Sequence, residues 1–518
     1  MSEGIKKRTK KEPTLGIALI PIVALMVFLY VGLVVFEQDP HIPLVAGSCV
    51  AVAVAIFMLG NTWADLEDGI LKTINMGMQA CLILMIIGML IGSWIMGGIV
   101  PSMIYYGLQI ISPSIFLVAA VILCSIVSIA SGSSWTTAGT VGVALIGVGQ
   151  GIGIPAPVAA GAIISGAYFG DKMSPLSDTT NLAPAMAGAT LFDHIRHMIY
   201  TTGPSYIITL IIFGVMSVKY AGQQLDAASI DSMLSVLDSN FTINLLMIVP
   251  PILVIAMVIF KVPAIPGLLG GVTLGAIFAV VFQGVGLGSL IDILQNGYSF
   301  EMSEAAAELA DALKAAIDSG VTGADTAILA SAPMELIAEV NSAKLLSNGG
   351  MQSMMWTVSL IICALSFGGI LEATGMLEVL AGSLLKLAKG TGSLVFVTIF
   401  SSIFINVIAS DQYLSIVIPG RMYKDAYADR GLSPRNLSRT LEDGGTITSP
   451  LIPWNTCGAA MTRSLKVSTQ EYLPYCFFNI LNPVISILMA FLGFGQMKMT
   501  DAEREAYERS KAALKHEA

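Results

Sequence analysis

The sequence predicts an all-α polytopic membrane protein with about 12–13 transmembrane segments, arranged as two structurally related repeats with broken or re-entrant helices at the membrane midplane. Of the 518 residues, 55% are hydrophobic and only 12% are charged, whereas soluble proteins carry about 25% charged residues. Long apolar runs recur along the chain, several of them near the roughly 17–25 residues that a spanning helix needs. Polar clusters interrupt these runs at related places, and this pattern predicts the repeats.

The first elements are a basic tail and the span that follows it. Five Lys and Arg residues precede the first apolar run, Leu15–Phe36. Because cytoplasmic loops are enriched in basic residues, this tail predicts that residues 1–14 lie in the cytoplasm. We expect a multi-pass protein of the bacterial inner membrane. The basic residues of Arg421–Arg439 predict a cytoplasmic loop, and residues 498–518 predict a short cytoplasmic helix.

An acidic segment, 283–350, divides the chain between a first transmembrane half, 15–282, and a second, 351–497. Between Tyr298 and Lys344 there are eight acidic residues and two basic ones, a net charge of 2 − 8 = −6. The segment Glu301–Ala316 keeps its apolar residues on one helical face, so a helical extramembrane insert is expected. It would serve as a connector, and an acidic vestibule that collects cations is the alternative.

The two halves share an ordered series of polar features. Ser131 opens a Ser/Thr cluster and lies 175 − 131 = 44 positions before Pro175, while Asn406 opens a second cluster 450 − 406 = 44 positions before Pro450. Each proline stands in a Ser-Pro-Leu sequence. Duplicated halves with interrupted segments at corresponding positions are typical of secondary transporters, and inverted repeats are the expected arrangement.

The polar clusters form the candidate binding site, because polar groups at membrane depth are costly unless they have a function. Gly170, Pro175 and Pro184 are expected to break a helix there and to free backbone carbonyls. Carboxylate, hydroxyl and amide oxygens are the ligands that hard cations take. The candidate ion- or substrate-binding residues are Asp171, Ser174, Asp178, Thr179, Thr180, Asn181, Ser133, Thr136, Asn406, Ser410, Asp411, Asp443, Thr448, Ser449 and Asn455, with Asp171, Asp178 and Asp411 as sodium ligands.

Some of these carboxylates have structural alternatives. Asp171 is followed directly by Lys172 and could form an ion pair with it. Asp178 could cap the helix that follows it. Asp443 could belong to the start of a cytoplasmic helix, since Arg439 is close by in the sequence.

This chemistry favours an antiporter. A carboxylate in a low-dielectric environment binds a proton more readily than one in water, so sodium and protons could compete for the same group. The absence of a Walker A motif argues against an ATP-driven pump. The sequence also has no haem or iron–sulfur ligand set and no nucleic-acid-binding feature, so no cofactor is expected besides the transported Na⁺.

The motif Gly170–Asn181 (GDKMSPLSDTTN) resembles the NhaC family of sodium/proton antiporters, as do Glu442–Thr446 and Pro450–Thr456. The resemblance covers Leu15 to Gly493, from which the acidic insert departs, and it implies duplicated halves and sodium-coupled antiport. The family also contains exchangers of malate and lactate, so an organic-anion exchanger that uses Lys172 or Arg463 stays the alternative. An intramembrane enzyme or a channel is disfavoured. Sodium, protons and membrane lipid are the expected partners, and a homodimer remains open.

Overall fold

A computed structural model describes residues 10–36, 38–110, 112–221, 227–260, 262–318, 328–329, 331–505 and 507–509. These residues are mostly helical, and their β structure consists of isolated bridges such as Tyr298 to Asn348. The all-α prediction is confirmed. The parts of the tails at 1–9 and 510–518 and of the insert at 319–327 lie outside the described residues.

Helices make up most of the two predicted halves and of the segment between them, and the division itself stays a prediction. The first half holds α1 (Leu15–Tyr30), α2 (His41–Val54), α3 (Trp63–Met96), α4 (Ile99–Ile110), α5 (Pro113–Ser131), α6 (Ser134–Thr137), α7 (Val143–Gly151), α8 (Ala156–Met173), α9 (Asp178–Ala187), α10 (Leu191–Ala221), α11 (Ala227–Asn240), α12 (Val249–Ile259) and α13 (Ala264–Gln283). The middle segment holds α14 (Leu287–Asn296), α15 (Glu304–Asp318) and α16 (Met334–Leu346). The second half holds α17 (Met355–Ala373), α18 (Met376–Leu385), α19 (Thr391–Ile408), α20 (Gln412–Ala428), α21 (Pro434–Leu441), α22 (Thr456–Leu465), α23 (Thr469–Tyr472) and α24 (Phe477–Phe491). Short π-helical turns occur at Val31–Val35, Ala55–Leu59, Ala138–Gly142 and Glu442–Thr446, and 3₁₀ turns at Leu245–Ile248, Gln352–Met354, Ser449–Leu451 and Leu473–Tyr475.

Among the described residues, eight helices are long and apolar enough to cross a membrane, or up to ten if each of two bent helix pairs is one span. The bent pairs are α11 with α12 and α23 with α24. The sequence predicted about 12–13 crossings. The count of eight to ten leaves out helices that are polar or interrupted. For example, α8 carries Asp171 and Lys172, and α20 carries Arg421 and Lys424.

Two of the helix interruptions in each half correspond to two in the other, and each of these four is followed by a capped helix. Ser133 and Ser177 cap α6 and α9 in the first half, and Asp411 and Asn455 cap α20 and α22 in the second. The two caps are 177 − 133 = 44 positions apart in the first half and 455 − 411 = 44 in the second. A side-chain oxygen at the cap satisfies the free N–H groups of a new helix end, so both breaks are encoded locally.

Close helix contacts repeat in the same way. A Cβ at Gly170 of α8 would lie 2.5 Å from the Cβ of Ser128 in α5, and one at Gly444 would lie 3.0 Å from the Cβ of Ser402 in α19. The offsets agree, because 444 − 170 = 274 and 402 − 128 = 274. Small residues let two helices approach at membrane depth. The repeat prediction is therefore supported by backbone packing as well as by sequence order, while the inverted orientation stays a prediction.

Two of the expected helix breaks are wrong. The helix α8 continues through Gly170 to Met173, and Pro184 lies inside α9. Gly170 is required for the approach of α5, where an added Cβ would also meet the Ser125 carbonyl oxygen at 2.5 Å. The third predicted break, at Pro175, is correct, because proline cannot donate the hydrogen bond that would continue α8.

The halves are packed together rather than separate. The helix α3 of the first half packs along α17 of the second, and α1 contacts α18. Gly69 and Gly369 face each other at the α3–α17 contact, where a Cβ at Gly369 would lie 2.8 Å from the Gly69 carbonyl oxygen. This packing brings polar breaks from distant parts of the chain into one region.

The helices of the acidic segment form a small cluster. The helices α15 and α16 pack together around Ala306, Leu313 and Val340, and α16 also contacts α11. Amphipathic packing of this kind agrees with the helices predicted there. The extramembrane position of the segment stays a prediction.

The predicted cytoplasmic loop Arg421–Arg439 is shorter than expected. The helix α20 ends at Ala428 and α21 begins at Pro434, so only five residues connect them. Arg439 belongs to α21 and is completely buried. A buried arginine needs a partner, and Asp443, four residues later, lies 3.6 Å from its Nε.

Candidate functional site

The first polar break is organised around Asp171. Its carboxylate Oδ2 accepts hydrogen bonds from the Ser134 backbone N–H at 3.0 Å and from the Ser134 hydroxyl at 2.7 Å. Its Oδ1 is buried and makes no hydrogen bond within the described residues, although the Ser177 side chain also interacts with this carboxylate. Asp171 therefore joins the start of α6 to the end of α8, and its Oδ1 stays available for another ligand.

The surrounding hydroxyls and the amide hold the break in shape. Ser174 donates to the Ile129 carbonyl oxygen at 2.7 Å, and Thr180 donates to the carbonyl oxygens at the end of α8. Asn181 donates to the Pro175 and Ser177 carbonyl oxygens. The hydroxyl oxygens keep lone pairs that could bind a cation.

The remaining first-half candidates lie at helix starts. Ser133 accepts from the Thr136 backbone N–H at 3.2 Å, and the Thr136 hydroxyl is buried with no hydrogen-bond partner among the described residues. The Thr179 hydroxyl lies 3.1 Å from the Ser177 hydroxyl. Ser177, which the sequence did not single out, is the cap of α9, so the alternative role of Asp178 as this cap is wrong by one position.

The second half builds a comparable break around Asp411. Its Oδ1 accepts from the Tyr413 and Leu414 backbone N–H groups at 2.9 and 3.1 Å, so Asp411 caps α20. Ser410 directly before it has φ +55°. A non-glycine residue in this left-handed region is a strained feature that is frequent at functional sites.

Two asparagines connect the breaks of the second half. Asn406 donates to the Gly445 carbonyl oxygen at 2.6 Å and accepts from Asn455, which also caps α22. Thr448 donates to the Gly444 carbonyl oxygen, and Ser449 donates to the Thr446 carbonyl oxygen. All these candidates are buried, and the structure brings them to one region.

Two contacts join the breaks of opposite halves. The Tyr413 hydroxyl donates to Asp178 Oδ2 at 2.5 Å, and Lys172 Nζ donates to Asp443 Oδ1 at 2.6 Å. Asp178 is exposed and interacts electrostatically with both Asp171 and Asp411. The two halves therefore meet at the sites that the sequence predicted, through residue pairs that it did not predict.

The ion pair of Lys172 lies in a larger buried charge cluster. Lys172 and Asp443 have completely buried side chains, and Arg439 Nε lies 3.6 Å from Asp443 Oδ2. The Thr201 hydroxyl donates to Asp443 at 3.2 Å. The alternative pairing of Asp171 with Lys172, and the alternative placement of Asp443 at a cytoplasmic helix start, are both wrong, because Asp443 lies in the interior as the partner of Lys172.

Sequence reasoning missed three members of this region. Arg439 was assigned to a loop, although its spacing of four residues from Asp443 is the signal of a helical ion pair. Its Nη1 also donates to the Gly495 carbonyl oxygen at 2.8 Å, and His197 lies beside it. Glu442 is completely buried, and neither of its carboxylate oxygens has a hydrogen-bond partner within the described residues.

A sodium site made of three carboxylates is not assembled in this structure. Within the part of the chain that the structure describes, no three His, Cys, Asp or Glu side chains lie close enough together to hold a metal ion. A sodium ion would instead use one or two carboxylates together with hydroxyl and backbone carbonyl oxygens, which interrupted helices supply.

Comparison with known proteins identifies the family. The model of the "Na+/H+ antiporter family" matches residues 166–324 and 317–494, which include both Ser-Pro-Leu breaks. The chain belongs to this family. The NhaC antiporter of Alkalihalophilus pseudofirmus is 39% identical over 94% of this chain and 97% of its own length. The resemblance of the Gly170–Asn181 motif to NhaC antiporters is confirmed.

Other relatives of the chain carry different names. The arginine/ornithine antiporter ArcD of Halobacterium salinarum is 37% identical over 97% of both chains. The malate-2H⁺/Na⁺-lactate antiporter of Bacillus subtilis is 38% identical over 84% of this chain and 86% of its own. The family is thus one of antiporters, and the protein is a multi-pass membrane transporter rather than an enzyme.

Proposed function

We propose that the protein exchanges Na⁺ for H⁺ by alternating access across the bacterial inner membrane, with its N-terminus in the cytoplasm. The observation that carries this proposal is Asp171, a buried carboxylate whose Oδ2 is held by Ser134, while its Oδ1 has no hydrogen bond of normal geometry within the described residues, although the Ser177 side chain interacts with the carboxylate. A buried carboxylate in this state needs a cation or a proton. The NhaC antiporters among the relatives support the choice of ions.

The proposed cation site lies where the breaks of the two halves meet. Asp171 is its central ligand, and Asp178 and Asp411 contribute negative charge from the neighbouring helix starts. Hydroxyl groups, amides and one backbone segment supply further oxygens or hold the breaks. They are the hydroxyl groups of Ser133, Thr136, Ser174, Thr179, Thr180, Thr448 and Ser449, the amides of Asn181, Asn406 and Asn455, and the backbone at Ser410. Asp443 balances the buried cations. Interrupted helices place such ligands without requiring a rigid cage.

The proposed topology follows the charge distribution. The basic tail, residues 1–14, and the C-terminal residues 498–518 face the cytoplasm. The acidic insert, 283–350, lies outside the membrane between the halves 15–282 and 351–497. Its charge would attract cations, provided that it lies on the side from which they enter.

A second candidate is sodium-coupled exchange of organic anions, such as malate and lactate, because one relative carries that name. An organic carboxylate would need a positively charged partner. Lys172 is already paired with Asp443, and Arg463 donates through Nε to the Ser353 carbonyl oxygen at 2.5 Å. The existing contacts of these two candidate cations favour the Na⁺/H⁺ reading.

Transport in proteoliposomes tests the proposal. With an imposed sodium gradient, the wild-type protein should move protons, measured with a pH-sensitive dye, in the absence of malate, lactate, arginine and ornithine. Asp171→Asn should abolish this movement, because the amide cannot provide the negative charge that the cation needs. Asp425→Asn changes an exposed carboxylate of α20 and is the matched control. Exchange at wild-type rate by Asp171→Asn, or movement only when an organic solute is added, would contradict the proposal.

A further inference from the structure

Glu442 is an unsatisfied carboxylate inside the protein. It is completely buried, and both side-chain oxygens lack a hydrogen-bond partner within the described residues. Buried polar groups are normally hydrogen-bonded, and each exception needs an explanation. Glu442 also opens the π-helical turn Glu442–Thr446, and such turns are frequent at functional sites.

The groups around Glu442 are mostly the members of the ion-pair cluster. Lys172, Asp171 and Asp443 interact with it electrostatically, and the Thr446 side chain lies beside it. The helices α19 and α24, which also pack against this turn, contain no ionisable side chain. The other ionisable groups that interact electrostatically with members of the cluster are Tyr168 of α8, Asp178 of α9, His194 and His197 of α10, and Tyr427 of α20.

The formal charges of the cluster do not balance. Lys172 and Arg439 contribute +2, and Asp171, Glu442 and Asp443 contribute −3, so the fully ionised cluster has a net charge of 2 − 3 = −1. Asp443 already contacts both cations. One additional positive charge, a proton or a sodium ion, would make this buried region neutral, and an uncompensated buried charge is strongly unfavourable.

We propose that Glu442 carries the exchanged proton while Asp171 binds the sodium ion, so that the two ions compete through the charge of one buried cluster rather than for one carboxylate. In the proton-loaded form Glu442 holds the proton on one oxygen and the cluster is neutral. When sodium binds at Asp171, the O–H bond of Glu442 breaks and the proton leaves to water, which keeps the total charge constant. This inference rests on the proposed Na⁺/H⁺ exchange and names the residue that carries its second ion.

The geometry explains why two carboxylates have different roles. Asp171 is oriented by two hydrogen bonds from Ser134, which hold its Oδ2 at the start of α6 and leave Oδ1 on the other side for a cation. Neither oxygen of Glu442 is held in this way within the described residues: the Thr446 side chain lies beside it, and Lys172 is the positive charge that interacts with it. Because Lys172 is shared with Asp443, the ionised form of Glu442 depends on the charge balance of the whole cluster.

Calorimetry of sodium binding to the full-length protein tests this assignment. Titrations in buffers of different ionisation enthalpy count the protons released for each sodium ion bound. The wild type should release about one proton per sodium ion. Its apparent dissociation constant for sodium should rise about tenfold for each unit by which the pH falls on the acid side, as reciprocal coupling requires. Glu442→Gln should release no proton, and its dissociation constant for sodium should be high and vary less than about twofold per pH unit.

Glu378→Gln is the matched control, because Glu378 is also partly buried but lies in α18, outside the cluster. It should release protons as the wild type does. Release of about one proton per sodium ion by Glu442→Gln would overturn the assignment. If the wild type itself neither binds nor exchanges sodium, the proposed function fails instead, so the two failures are distinguishable.

Infrared difference spectra of the wild type provide a test that does not depend on folding of the variant. Sodium binding should remove a protonated-carboxyl band, and carbon-13 labelling of glutamate side chains should shift that band. A band that shifts only when aspartate is labelled would overturn the role of Glu442.

Discussion

Removing one member of the buried ion pair between Lys172 and Asp443 should destabilise the protein strongly. The Nζ and Oδ1 atoms are 2.6 Å apart, and both side chains are completely buried. The pair joins α8 of the first half to the π-helical turn of the second, 271 positions away. Because water cannot reach either group, the remaining partner would keep its charge without compensation.

The size of the effect should depend on which partner is removed. Breaking a buried ion pair costs about 3–5 kcal/mol of unfolding free energy. Lys172→Met should lie near the lower value, because Asp443 retains Thr201 at 3.2 Å and Arg439 at 3.6 Å. Asp443→Asn should lie near the upper value, because it removes the carboxylate that both Lys172 and Arg439 contact, and Asp171 and Glu442 would balance those cations only from a greater distance. The double variant should cost less than the sum of the single ones, by at least about 1.5 kcal/mol.

The assay is a titration of the purified protein with denaturing detergent in mixed micelles, followed by far-ultraviolet circular dichroism. Arg509→Met, in an exposed pair with Glu505, is the control and should change nothing measurable, since exposed ion pairs contribute little. Additivity of Lys172→Met and Asp443→Asn within about 0.5 kcal/mol would refute the coupling. A smaller loss for Asp443→Asn than for Lys172→Met would refute the assignment of Asp443 as the shared partner.

Three further predictions concern other parts of the structure. Gly170→Ala should destabilise the α5–α8 contact by about 1–3 kcal/mol in the same detergent titration, because its Cβ would meet the Ser125 carbonyl oxygen at 2.5 Å; an unchanged midpoint would contradict this. Asp411→Ala should lose about 1 kcal/mol of unfolding free energy with the cap of α20, whereas Asp411→Asn should lose less; equal losses would count against the capping role. In the C-terminal segment, burial raises the pKa of Glu503, but hydrogen bonds from Thr500 and Ser433 outweigh burial and lower it. Docking of this segment should therefore be strong above the unfolded pKa of about 4.3 and should weaken as pH falls through the lower folded pKa. Hydrogen exchange of Thr500 and its neighbours checks this, and equal protection at neutral and acid pH would contradict it.

Much of the architecture follows from local patterns. Composition and apolar runs predicted the helical membrane class, because spanning helices must be apolar over most of their length. The polar breaks were also predictable, since Pro175 and the capping side chains act on the residues directly around them. Asp171 could be singled out because a carboxylate in an apolar protein is rare and costly. Gly170 was misjudged because its role depends on α5, a helix about 40 positions earlier.

The class of the protein, the repeat of its interrupted helices and the motif around Asp171 can therefore be read from the order of the amino acids. The pairing of the charges depends on folding: Lys172 pairs with Asp443 rather than with its neighbour Asp171, and Tyr413 reaches Asp178 across 235 positions. Apolarity and capping act through neighbours in the chain, whereas the stability of a buried charge depends on the partners that folding brings within a few ångströms. For the same reason Glu442 could be recognised as the unsatisfied acid of the cluster only after the two halves were packed together.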